Sequence, residues 1–563
     1  MFQGASSESK SGKKSADEAI RLIDLQIANL CESIRILNGQ RNSHLSISKL
    51  PVEILTKIFL LHQEDTTRRH PFRGLEPLDW IGITHVSQRW REIALNFSSL
   101  WIHIPFHHPK WAKEMIARSQ HACPIVKANY IPSLYPSEAR LLKSFLQQHL
   151  SRVQVLDILG ANPQQVAKLF QDIQPTSVPC LSTLSLWVHC QQESGPGTEP
   201  SAVLDSLQIV DSRLLNANAL RKLRFSTTPR WDLSLFSGLT HLELGDGGNM
   251  LRTQTSQREF LDALRRMPTL QSLHLNGLVL PEAINESSLE PVHLPNLRDL
   301  SVLDTVPIIE FFLHHVTFLP TTRTAIGCRH REPVLRLANI SPILVPLKRL
   351  LSERPLTLKL HHIEFRCFED SDDWDLKFKG WVSAGCSSLR GYNPNLNADF
   401  TFFVEWDSDQ MGTLSPIDEL SVGVFGIFPQ DDVISLSLSS YDGTCFRRFA
   451  RTIGQLPALN AFHLSYISSM PFLLELNCDA PQEGDDPSTP TYPALRYLDF
   501  SDHQFNVPGL RTLYNSLKKR SQLGLGPEKV KINLCALRKL DKQTTALLEK
   551  VVEVVSEMND WDS

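Results

Sequence analysis

The chain has 563 residues, 42% hydrophobic and 21% charged, with a net charge of −4 and an isoelectric point near 6.6. This is ordinary globular composition, and the basic clusters Arg447, Arg448, Arg451 and Lys518, Lys519, Arg520 read as solvated helix surface, not the extended basic face that nucleic-acid binding requires. The most apolar run, Pro307 to Leu319, is too short for a bilayer and carries Glu310, His314 and His315, so no membrane span is expected.

In chain order, Met1 to Asp17 is polar and rich in Ser and Lys, without the apolar core of a secretory signal, and residues 1–17 read as a disordered tail. The ten cysteines form no CxxC pair, so free thiols and a reducing compartment, cytoplasmic or nuclear, are expected. Within 18–43, Ile20, Ile23, Ile27, Leu30, Ile34 and Leu37 alternate spacings of three and four, the a and d positions of a coiled-coil-like helix. The stripe covers fewer than three heptads, so two readings stand: a helix laid against the next module, or a seam for self-association. Gly39 reads as its stop signal.

Residues 44–105 hold the most specific pattern. Pro51 opens a helical stretch, where its fixed φ and missing N–H suit the first turn. Leu50, Ile54, Leu55 and Ile58 share one face, with Glu53, Thr56 and Lys57 turned away. From Ile81 to Trp101, Ile83, Val86, Trp90, Ile93 and Ala94 fall at helical spacing among Ser87, Gln88, Arg89, Arg91 and Glu92. Helices this short cannot bury all their apolar surface alone, so part of it is expected to dock elsewhere.

The run from Leu50 to Leu60, followed by Val86-Ser87-Gln88-Arg89-Trp90-Arg91-Glu92-Ile93-Ala94 and Leu100-Trp101, resembles an F-box. The resemblance implies that Leu50, Pro51, Ile54, Leu55, Ile58, Phe59, Val86, Trp90 and Trp101 meet the Skp-type adaptor of a cullin-RING ubiquitin ligase. It departs from the usual pattern between Leu61 and Leu78, where residues 62–74 lengthen the link between the two helical halves. With the terminal Ser98-Ser99-Leu100-Trp101, that insertion resembles the F-box-like proteins of mushroom-forming fungi.

Across 106–563, five segments share the spacing Pro-x-Leu-x-x-(Leu/Phe)-x-(Leu/Val/Phe): Pro179 to Leu186, Pro268 to Leu275, Pro295 to Val302, Pro457 to Leu464 and Pro493 to Phe500. Leu220, Leu223, Phe225 and Leu239, Leu242, Leu244 repeat it without the proline, Ile417, Leu420, Val422 is a looser copy, and Leu356, Leu358, Leu360 is a degenerate one. Leu-x-x-Leu-x-Leu sends alternate side chains inward from a short strand, and stacked strands build one continuous core. Ser256 to Met267 and Ile308 to Phe318 supply helical material between strands. The expected fold is therefore α/β: an N-terminal helical F-box, then an irregular leucine-rich-repeat solenoid with a parallel sheet and helices on its convex side. An unrelated α/β domain with buried parallel strands stands as the alternative. The helical pattern from Thr544 to Met558 reads as its C-terminal cap. Lys222, Arg224, His241, Glu243, Ser272, His274, Asp299, His463, Tyr497 and Asp499 lie between inward leucines and are candidate target contacts on the open face.

The sequence carries few motifs for chemistry. No Gly-x-Ser-x-Gly elbow, phosphate-binding Gly-x-x-x-x-Gly-Lys-Ser/Thr loop or His-Glu-x-x-His zinc helix occurs, and Gly245-Asp246-Gly247-Gly248 reads as a turn. The pairs His107-His108, His314-His315 and His361-His362 diverge on a strand or helix, so each lacks a ready partner ligand. The acidic run Glu369, Asp370, Asp372, Asp373, Asp375 lacks the glycine and distal glutamate of a calcium loop and reads as a surface loop, and 191–200 and 479–490 read as protruding loops. No cofactor or metal is expected. The resemblance implies a non-catalytic substrate-recognition subunit, joining the adaptor and cullin-RING ligase to an unknown protein substrate. The alternatives are a scaffold using its F-box-like helices outside a ligase, and an enzyme with a diverged α/β core.

Overall fold

The structure is a computed structural model and describes residues 8–69, 78–129, 136–161, 163–188, 214–215, 217–225, 238–245, 256–277, 289–330, 335–370, 373–382, 398–407, 415–440, 446–465, 469–477, 490–500, 507–533 and 553–557. Two compact units are present. The first comprises Met1–Ala161, Gln165–Leu184 and Ile209–Ala217; the second comprises Asn162–Gln164, Ser185–Gln208 and Asn218–Ser563.

In the first unit, helix α1 runs from Glu8 to Ser43. It starts inside the segment expected to be a tail and passes through Gly39, because one glycine in a helix interior costs only about 1 kcal/mol. A 3-10 turn at Ser46–Lys49 leads to Pro51 and helix α2, Val52–Arg69. The Pro51 carbonyl accepts the N–H groups of Ile54 and Leu55, both at 3.2 Å. The insertion expected to lengthen a link instead extends α2 to Arg69, with 70–77 outside the described residues. The helical spacing from Ile83 to Ala94 is split into a 3-10 helix, Asp79–His85, and helix α3, Gln88–Asn96. Ser87 causes the break: it is extended (φ −157°) and its hydroxyl caps α3 by accepting the Trp90 N–H at 3.2 Å. Helix α4 (Pro109–Ser119), strand β1 (Ile125–Asn129), helix α5 (Pro136–His149) and strand β2 (Val155–Ala161) follow, β1 and β2 pairing in parallel. Short strands β3 (Thr176–Ser177) and β5 (Leu214–Leu215) also pair in parallel; strand β4 is Thr183–Val188, of which the part from Ser185 onward belongs to the second unit.

The second unit is a mixed α/β region built on a large, mainly parallel sheet. Its strands are β6 (Lys222–Phe225), β7 (His241–Gly245), β8 (Ser272–Asn276), β10 (Asp299–Asp304), β12 (Arg323–His330), β13 (His362–Asp370), β14 (Asp373–Trp381), β15 (Phe400–Asp407), β16 (Ser435–Ser440), β17 (Ala461–Ser465), β18 (Tyr497–Phe500), β19 (Lys529–Asn533) and β20 (Glu553–Glu557); β9 (Val292–Leu294) and β11 (Val316–Phe318) pair separately. The order is β6-β7-β8-β10-β12-β15-β14-β13-β16-β17-β18-β19-β20. Neighbours are parallel except β14, which runs antiparallel to both β13 and β15.

The repeated leucines form rows across this sheet. Leu223, Leu242, Leu273 and Leu300 are in register, as are Phe225, Leu244, Leu275 and Val302, and all are buried. The prolines of the five Pro-x-Leu segments each begin the turn that enters a strand, where a fixed φ is favourable. Helix Gln257–Arg265, capped by Ser256 and Glu259, buries Phe260, Leu261, Ala263 and Leu264 as its spacing predicts. Phe365 and Phe378, from β13 and β14, meet Phe449 of helix Arg447–Gly454 at 5.0 and 6.3 Å between ring centroids.

Several expectations are corrected. Ile417, Leu420 and Val422 lie on helix Ser415–Phe425, since their spacing also fits a helix, and Leu356–Leu358 is a 3-10 turn. The stretch to Phe318 is helical only over Val306–His315 before becoming β11. Residues 553–557 form strand β20 instead of part of a capping helix, pairing in parallel with β19. The acidic run is a hairpin end, with Asp370 opposite Asp373 and Asp372 outside the described residues. Residues 191–200, 246–248 and 479–489 also lie outside them. Among the described residues no helix is long and apolar enough to cross a membrane.

Candidate functional site

The turn before α2 is fixed from α3. Arg89 donates to the carbonyls of Ser48 and Leu50, the latter at 2.6 Å, so the entry to α2 is tied to the second helical half. Gln63 on α2 donates to the Leu100 carbonyl at 3.0 Å, and the Trp101 indole donates to the Ala94 carbonyl at 2.8 Å. Phe59 meets Trp90 with centroids 5.0 Å apart, and Trp80 meets Trp101 edge-on at 5.2 Å. The Arg118 guanidinium covers the other side of Trp101, 4.9 Å from its centroid. These contacts close a small core of Leu55, Phe59, Trp80, Ile83, Ala94, Leu100 and Trp101.

That closure sorts the nine residues proposed to meet an adaptor. Leu55, Phe59 and Trp101 are core side chains with at most 1% exposure, so they shape the surface without being part of it. Pro51, Ile54, Ile58 and Val86 are exposed, Ile54 and Ile58 to 45% and 37%; Leu50 and Trp90 are half-buried. Ile54, Ile58 and Leu61 form one row along α2, next to the buried row of Leu55, Phe59 and Gln63. Leu45, Ile47, Val52 and Leu61 are further exposed apolar side chains that the sequence reading missed. The available signal was the apolar density of 45–61: one helix face cannot bury all of it.

In the second unit, the polar residues predicted between inward leucines share the opposite sheet face. Lys222, His241, Ser272 and Asp299 form one row, and Arg224, Glu243 and His274 the next. Arg224 pairs with Glu243 at 2.9 Å and lies over the Trp187 ring, 4.4 Å from its centroid. Burial and neighbouring Lys222 hold His241 below the ordinary imidazole value. His463, Tyr497 and Asp499 lie on β17 and β18, beyond β12 to β16, so they are not gathered with the first seven. Asp499 is itself buried, near Lys531 at 3.9 Å, and offers little surface.

The missed residues lie between those groups. On β12 to β15, Arg329 pairs with Glu405 at 3.5 Å, Lys377 lies over the Phe403 ring, and buried Glu364 takes Arg366 and, at 3.8 Å, Lys379. Burial raises Asp375 above the usual carboxylate range, with Glu405 across the strand pair adding to the rise. These strands have no Pro-x-Leu signature, but they alternate polar and apolar residues, a signal for half-buried strands. The His107 and His108 rings, expected to diverge, approach to 4.4 Å because the pair lies outside any helix or strand; among the described residues no three His, Cys, Asp or Glu side chains gather to hold a metal.

A closed helical core with an exposed apolar rim defines a protein-interaction module. Residues 47–107 match the F-box-like family, and the chain therefore carries an F-box-like domain there. F-box domains commonly bind Skp-type adaptors. No curated protein matches the chain.

Proposed function

We propose that this chain is the substrate-recognition subunit of a Skp-cullin-F-box ubiquitin ligase and has no catalytic chemistry of its own. The observation that carries the reading is the exposed row Ile54, Ile58 and Leu61, with Val52 and Val86, on an F-box-like domain whose core is already closed. Such a row gains free energy only by covering itself, and the adaptor is the partner that the F-box family supplies. The second unit is an irregular leucine-rich-repeat array: β6, β7, β8, β10 and β12, and then β16 to β20, follow one another across the sheet in chain order, with β9 and β11 paired apart, and helices return between several of them. Its polar sheet face holds the target, and tethering target and ligase raises the effective concentration of target lysines.

The test is co-precipitation of purified Skp-type adaptor with the full chain and with an Ile54→Asp, Ile58→Asp variant whose folding is checked by circular dichroism. Binding by the wild type and loss in the folded variant supports the reading. Failure of the wild type to bind overturns it. Recruitment of a cullin through the adaptor separates a ligase subunit from a scaffold.

A further inference from the structure

Helix α1 carries Ile20, Ile23, Ile27, Leu30, Ile34 and Leu37 on one stripe, each 53% to 65% exposed. Its side-chain links to the F-box-like domain lie outside the stripe: Arg35 donates to Gln88 at 3.2 Å, and the Asn42 carbonyl accepts the Ser48 hydroxyl at 2.6 Å. Among the described residues nothing covers the stripe, so the reading of a helix laid down on its apolar face does not hold.

We infer that this stripe is the seam of a parallel two-stranded coiled coil between two copies of the chain. The a positions are Ile20, Ile27 and Ile34, and the d positions are Ile23, Leu30 and Leu37. β-Branched residues at a with mainly leucine at d favour two parallel strands. The flanking positions choose the occupant. In parallel register Ala19 faces Asp24 of the second copy, Gln26 faces Cys31 and Ser33 faces Asn38, so self-pairing sets no like charges together. A partner chosen by complementary charge finds only Asp24 to answer it. Area agrees: six side chains at roughly 100 Å² each, from two copies, give on the order of 1,200 Å², the lower edge of stable interfaces. Leu22, Leu25 and Ile36 fall at c and f positions and stay on the outer faces. The F-box-like domain follows α1 directly, so the coil yields a bivalent chain whether or not the adaptor reading is right.

The experiment is sedimentation equilibrium of the full-length chain at micromolar concentration. The expected mass is about twice the 63.7 kDa of one chain. Ile27→Asp with Leu30→Asp should return a single chain with the rest of the fold intact by thermal melting, whereas Leu22→Ser with Leu25→Ser should leave the dimer. Leu37→Cys in a Cys31→Ser background should cross-link between chains on mild oxidation, since only a parallel coil brings residue 37 opposite itself. A wild type of one or four chains, a seam variant that stays dimeric, an off-seam variant that dissociates, or no cross-link overturns the proposal.

Discussion

Arg520, fully buried on helix Val507–Gln522, donates from Nη2 to the carbonyl of Tyr492 at 2.6 Å. Tyr492 has φ +50°, a left-handed conformation that costs a non-glycine residue about 1–3 kcal/mol unless its surroundings enforce it. They do: Arg520 also donates to the Thr491 carbonyl at 2.8 Å, the Tyr492 N–H donates to Gly454 at 2.6 Å, and its ring stacks on Phe462 at 5.8 Å. In sequence Arg520 is indistinguishable from Lys518 and Lys519 beside it; in the fold it is a tie between two segments. Arg520→Met leaves the buried Tyr492 carbonyl and the part-buried Thr491 carbonyl without this donor and should cost about 2–4 kcal/mol. Lys518→Met on the exposed side should change stability by less than about 0.5 kcal/mol. Urea denaturation of both variants checks the contrast.

The F-box-like domain assigns stability and binding to different side chains, Trp101 in its core and Ile58 on its exposed row. Trp101→Ala removes a buried indole and its hydrogen bond to Ala94, and should destabilise the first unit by about 3–5 kcal/mol. Ile58→Ala, on the exposed row, should cost under about 1 kcal/mol in stability yet weaken adaptor binding at least tenfold, a hot-spot loss of about 1.4 kcal/mol or more. Thermal melts and titration calorimetry with purified adaptor distinguish the two. Equal stability losses would mean that Ile58 is part of the core.

Acid should weaken the first unit through His107. Burial, with the His108 ring 4.4 Å away, holds His107 down to about 4, and its Nε2 has no hydrogen-bond partner. Between 6.5 and about 4 the unfolded chain binds a proton that the folded imidazole does not. Stability from this group is therefore intact above 6.5 and falls as the pH drops toward 4. The ring is half exposed, so solvent screening limits the loss to about 1 kcal/mol. Melting temperatures at pH 7 and pH 4.5 should differ less in His107→Gln than in the wild type.

Much of the sheet was legible because its leucines repeat at a spacing that only one side of a strand can use: Leu242, Leu273 and Leu300 land in one row. Ile417, Leu420 and Val422 misled because residues three apart also share a helix face. The valines near 551–555 carry both periods, and pairing of Lys529 with Glu553 decides for a strand at 553–557. In the F-box-like domain Ile54 and Leu55 are adjacent and equally apolar, so the sequence shows that one turns inward but not which. Tertiary packing makes that choice, with Leu55 against the core and Ile54 on the rim.

The centre of the polar sheet face depends on one close approach. Gly327 on β12 is in register with Phe403 on β15, and a Cβ at Gly327 would lie 2.2 Å from the Phe403 ring. On the other side, Lys377 of β14 pairs with Phe403 and places its ammonium 5.0 Å from the ring centroid. The ring thus lies across the glycine, and the lysine sits over it. Gly327→Ala should displace Phe403 and cost about 1–3 kcal/mol, the usual penalty of overpacking. In a Phe403→Ala background the obstacle is gone, so the same substitution should be nearly neutral, giving a coupling of at least about 1 kcal/mol. A double-mutant cycle by denaturant unfolding measures it. Equal costs in both backgrounds would mean that the Gly327 constraint lies in the backbone and not in the ring above it.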